Sequence, residues 1–141
     1  MRVRKYLEFV LVALVAILIC AYGVLRPYHN WDIIGYVAAA YHADGYRGQD
    51  LSARVFGVIE SDVEPKLFRE LTSGPYRNTV FQDPASLEQQ VPFYSIRVIY
   101  VGLIRVAGLM GLDYAKASYC ISALSAAGCV VLLWQIALFY G

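Results

Sequence analysis

The chain has 141 residues, 59% hydrophobic and 16% charged, with a formal net charge of +1 and a mean hydropathy of +0.50. An ordinary soluble domain carries about 25% charged residues, so this balance argues against one and points to a membrane. There is no basic cluster suited to nucleic acid. Cys20, Cys120 and Cys129 lie in apolar stretches without a CxxC pair, which argues against a disulfide framework or a structural zinc site.

Residues 1–5, with Arg2, Arg4 and Lys5, read as a cytoplasmic N-terminus. Residues 6–25, "YLEFVLVALVAILICAYGVL", read as a first transmembrane helix: Glu8 is the only charge, and about 20 apolar residues suffice to cross. A cleaved signal peptide competes, since a basic start precedes the run and Ala21-Tyr22-Gly23 resembles a weak cleavage site. Its apolar core is usually about 7–15 residues, and this run is longer. Ile19 before Cys20 argues against a lipoprotein signal.

Residues 26–90 read as an extracytoplasmic loop. Asn30 is a good N-cap, and the chain from Trp31 reads as helix until Gly45. Ile33, Ile34, Val37, Ala38 and Tyr41 form an apolar face suited to a membrane surface or to other helices. The other side carries Asp32, Gly35, Tyr36, Ala39 and Ala43, mostly small residues with an acid at the head, which would leave room beside the carboxylate. "SARVFGVIE" fits a short helix or a strand. "SDVEPKLFRELTSG" reads as a helix, with Ser61 and Glu64 at capping-box spacing and Pro65 in the first turn. "GPYRNTVFQDPASLEQQVP" reads as an irregular loop with a short helix opened by Asp83 and Pro84. The expectation is a small cap of three short helices.

Residues 91–112 read as a second transmembrane helix begun by Pro92, with Arg97 and Arg105 near its two ends and able to snorkel to the interfaces. Arg97 is alternatively a ligand for a lipid phosphate. Residues 114–140 read as a third span. Its Ser118, Ser122 and Ala126, with Ser125 and Cys129, make a small-residue stripe for close packing within this bundle or against another polytopic membrane chain. Lys116, in the turn before it, joins the basic N-terminus in predicting an N-in, C-out topology. The end at Tyr140 and Gly141, without a polar tail, fits a partial protein. The expected class is thus an all-α integral protein of a bacterial-type inner or plasma membrane, with three transmembrane helices and a helical extracytoplasmic cap between the first two.

An N-terminal span, the acid of "NWD" (Asp32) just beyond it, a surface helix, a helical external loop and a next span opened by "PFYSIRVIY" resemble the N-terminal part of the GT-C superfamily. These are polytopic glycosyltransferases that take a sugar from a polyprenyl-phosphate carrier on the non-cytoplasmic face. The resemblance implies that Asp32 is the catalytic base or positions the acceptor, and that donor-binding residues of later loops lie outside this chain, since such enzymes usually have eight or more spans. Inverting transfer needs a base and a cation for the leaving phosphate. Arg97 is the expected phosphate contact, and His29 and Tyr36 are expected to orient the acceptor. The competing reading of Asp32 is an acid favoured at a helix start by the macrodipole. His29, His42 and Asp44 lack metal-ligand spacing, so no cofactor is expected, with divalent-metal chemistry left open. The alternative function is a non-catalytic three-span accessory or structural subunit.

Overall fold

The computed structural model describes residues 2–140, with side chains from Tyr6 onward. Among the described residues the secondary structure is helical throughout: α1 (Arg2–Leu25), α2 (Asp32–Ala43), α3 (Gly48–Asp62), α4 (Pro65–Thr72), α5 (Pro75–Gln82), α6 (Pro84–Ser95), α7 (Val98–Leu109) and α8 (Tyr114–Tyr140). They form two compact units, one of residues 1–28 with 119–141, the other of residues 29–118.

The first unit is a pair of long apolar helices. Tyr6–Leu25 in α1 and Tyr114–Tyr140 in α8 are each long and apolar enough to cross a membrane. They run antiparallel: the Phe9 and Trp134 rings stand 5.7 Å apart, while Gly23 lies against Ala123. A Cβ on Gly23 would come within 2.8 Å of that of Ala123, so the glycine permits the close crossing. Leu7, Leu14, Ile17 and Leu18 of α1, with Leu124, Leu132 and Leu133 of α8, remain exposed, as side chains facing lipid do.

The second unit is built around α2, whose residues from Ile33 to Ala40 are all buried. It packs against α6, α3 and α7. From α3 come Leu51, Val55 and Ile59, spaced by four residues along one helical face, and from α6 and α7 come Leu87, Val91, Val101 and Ile104. Phe81 of α5 joins the unit through edge-on contacts with Phe56 and Phe68.

Several local expectations give way to tertiary packing. Position Ncap of α2 is Trp31, with no side-chain cap, and Asn30 contributes its backbone carbonyl to the Ile33 amide. Of the two surroundings expected for the apolar face of α2, other helices are the one found: Ile33, Ile34, Val37 and Ala38 are buried against them, and most of the opposite face is buried too. "SARVFGVIE" belongs to the 15-residue helix α3. That helix runs through Ser61, whose hydroxyl bonds to the Val58 carbonyl, so the capping box with Glu64 does not form. "PYRNTVFQ", expected to be irregular, is α5. Asp83 and Pro84 do open a helix, with the Asp83 carboxylate accepting from the Ala85 and Ser86 amides.

The largest departure lies in residues 91–112. They form no single straight helix: α6 contains Pro92 and ends at Ser95, and α7 leaves it at 110°. The corner is Arg97, whose φ of −86° and ψ of 60° lie near the inverse γ-turn. Any residue adopts that conformation, so no glycine or proline marks it. The candidate spans therefore number two, or three if the bent pair counts as one broken span.

Candidate functional site

Asp32 is the first residue of α2, where the helix dipole favours a carboxylate, and it is exposed. The Tyr94 hydroxyl, at the end of α6, donates to Asp32 Oδ1 at 3.0 Å. One turn along α2 stands Gly35, and a Cβ there would run into the Tyr94 ring. The glycine thus lets the ring lie flat on α2 and reach the acid. Tyr94 meets the edge of Tyr36 at 5.0 Å between centroids, and Tyr36 meets Tyr100 at 4.7 Å. Tyr100 donates its hydroxyl to the Ser118 carbonyl at 2.8 Å, which holds α7 to the start of α8. The Arg97 guanidinium, exposed at the corner, lies 5.2 Å from the centroid of the Tyr36 ring.

The result is a row of three tyrosines with a carboxylate at one end and a cation over its middle. Beside Asp32, Trp31 meets the edge of Tyr76 at 5.8 Å, with the Arg77 guanidinium 5.6 Å from its ring. Tyr76 donates to Gln90 Oε1 at 2.6 Å. Of the expected site residues, the structure gathers Asp32, Tyr36 and Arg97. It does not leave the small-residue face of α2 open, because Tyr94 fills the space over Gly35. Tyr94 is the member that sequence reasoning missed. Its only advance signal was an unexplained tyrosine in "PFYSIR", 62 residues from the acid it meets.

His29 is turned elsewhere. Its imidazole pairs with Asp62 at 3.2 Å, with the two side chains 9% and 5% exposed. Lys116 Nζ lies 3.8 Å from the same Asp62 and 2.8 Å from Asp113. The expected role of His29 in orienting an acceptor at Asp32 therefore lacks geometric support, and Lys116 belongs to the first turn of α8. Arg105 Nε donates to Asp44 Oδ1 at 2.7 Å, with Tyr114 donating to the other oxygen. The Tyr41 ring lies 4.6 Å from that of Tyr114, tilted by 46°, and burial raises the pKa of its phenol. Burial, aided by Arg47, lowers the pKa of the His42 imidazole. Among the described residues no three His, Cys, Asp or Glu side chains converge as metal ligands.

The chain matches no family model, no curated protein and no solved structure.

Proposed function

We propose that this chain is the N-terminal membrane portion of a GT-C-like glycosyltransferase, which moves a sugar from a polyprenyl-phosphate donor on the non-cytoplasmic face and is completed by further transmembrane segments. The observation that carries the reading is the environment of Asp32. It is an exposed acid just beyond the first apolar helix, with Oδ1 held by Tyr94 and a guanidinium on the adjoining tyrosine. Among the described residues Oδ2 accepts no hydrogen bond, so it is the oxygen available to take a proton. In this reading Oδ2 removes the acceptor's proton as the acceptor oxygen attacks the anomeric carbon. The bond to the carrier phosphate breaks, and Arg97 offsets the charge left on that phosphate.

The antiparallel pairing of α1 with α8 supports two crossings by these helices. In this reading residues 29–118, which link α1 to α8, are extracytoplasmic and both termini are cytoplasmic, with Arg2, Arg4 and Lys5 setting the orientation. With two crossings in place of three, this reading puts the C-terminus on the side opposite to the C-out expectation.

The test uses the full protein in its native membranes, supplied with radiolabelled polyprenyl-phosphate hexoses. Asp32→Asn keeps the shape and the Tyr94 contact while removing the base. Label transfer should fall by about 10²-fold or more. Undiminished transfer would sink the assignment.

A second reading, an accessory subunit, is favoured by one observation: Ser122, Ser125, Ala126 and Cys129 of α8 are exposed, whereas Ala123 faces Gly23. This small-residue face suits another polytopic chain. Here Ser122→Leu should release a co-purifying membrane partner and Asp32→Asn should be silent.

A further inference from the structure

Helix α7 is apolar on two sides. At about 100° per residue, Val98, Ile99, Leu103, Val106, Leu109 and Met110 occupy one continuous arc of roughly 140°. All six are exposed, Ile99 to 81% and Met110 to 79%. The opposite side, with Val101 and Ile104, is buried in the second unit. A contiguous apolar arc of this extent does not ordinarily face water, so something covers it. The surface continues around the corner through Phe93 and Ile96, exposed to 70% and 77%.

We infer that the α6–α7 elbow lies in the plane of the bilayer interface, with the outer arc of α7 sunk among the lipid acyl chains. Three observations favour this placement. First, the arc runs on in sequence through Leu112 into α8, one of the two long helices that meet the requirements for crossing. Second, the arc carries no charge and the cations flank it. Arg97 stands at the start of α7, and Arg105 falls at its edge with Nε bound to Asp44, which suits a helix whose rim meets headgroup phosphates.

Third, α7 alone is too short to cross, and its attachments oppose a crossing. Twelve residues span about 18 Å, short of the roughly 30 Å hydrocarbon core. Arg105 would also have to take Asp44 with it into the hydrocarbon, and Asp44 closes a helix pinned among α3, α6 and α7. Lying in-plane satisfies both limits. It also sets Tyr94 and Arg97, which share the elbow with Phe93 and Ile96, at headgroup depth. The inference concerns depth alone and does not depend on glycosyl transfer.

The experiment uses the full chain, with Cys20, Cys120 and Cys129 replaced by alanine, in phosphatidylethanolamine–phosphatidylglycerol vesicles. Single cysteines at Ile99, Leu103, Val106 and Met110 carry an environment-sensitive fluorophore, with Ala53 and Asn78 as exposed controls. The four arc positions should emit blue-shifted light and be quenched several-fold more than the controls by nitroxide lipids, most strongly by labels just below the headgroups. Emission like that of the controls would overturn the inference. So would a blue shift without lipid quenching, which means a protein covers the arc, or quenching that deepens and then shallows from Ile99 to Met110, which means a crossing.

Discussion

Gly35 shows how one missing methyl group fixes a functional geometry. An alanine there gains about 1 kcal/mol of helix propensity, yet its Cβ meets a ring hemmed in by Tyr36 and tied to Asp32, and overpacking of this kind costs about 1–3 kcal/mol. Gly35→Ala should therefore lower the thermal midpoint and move the Tyr94 hydroxyl off the acid. Tyr94→Phe keeps the ring and should cost about 1 kcal/mol for the lost hydrogen bond. The double variant should cost clearly less than the two singles together, because both act on the same Tyr94–Asp32 contact. Thermal unfolding in detergent measures the cycle, and simple additivity would mean that the glycine does not position Tyr94. The sequence shows Asp32, Gly35 and Tyr36 on successive turns, so half of this site was legible. Tyr94 was not, because helical spacing says nothing about which distant ring fills a gap.

At the scale of elements, the reading succeeded where the signal was local and failed where a neighbour decided. Asp83 and Pro84 announce α6 because a carboxylate cap and a proline in the first turn act within three residues. Hydrogen bonds from the Ser86 hydroxyl and then the Ala85 amide hold the Asp83 carboxyl below its ordinary 3.8. A depressed folded value means that this cap contributes fully above pH about 3.8, and that its contribution is lost as pH falls through the folded value. Asp83→Asn keeps a capping oxygen that does not titrate. The wild-type chain should thus be the more acid-sensitive of the two, the gap between their helical circular dichroism changing only below about pH 4. Parallel acid titrations of the two proteins would show that the cap is not coupled to folding. The 110° corner at Arg97 is the opposite case. Apolar residues run on either side of it, and Val101 and Ile104 of α7 are buried in the core of the second unit, a packing that sequence spacing does not reveal. Helix α5 reads as loop for a different reason: its single buried side chain, Val80, is too sparse to show a period.

For the whole molecule, the proposed parity of crossings rests on which helices pair and in what sense. Three straight spans from a cytoplasmic N-terminus would make the first and third parallel. The chain instead sets Phe9 beside Trp134 and Gly23 beside Ala123, a register in which numbers rise along α1 as they fall along α8. The link at the other end agrees: Asp62 pairs with His29, four residues past the end of α1, and stands near Lys116 in the first turn of α8. One carboxylate thus meets groups from both ends of the intervening segment, which a net crossing by that segment would separate by the thickness of the bilayer. Epitope tags at the two termini should be protected together in sealed right-side-out vesicles and become accessible together on permeabilisation. A cysteine introduced at exposed Ser73, between α4 and α5, should react with an impermeant maleimide before permeabilisation. A C-terminal tag accessible in sealed vesicles would restore a third crossing and require α6 and α7 to straighten through the membrane. That rearrangement would break the Arg105–Asp44 pair and carry Arg97 away from Tyr36, so the topology assay also bears on whether the acid and cation of the proposed site share one face of the bilayer.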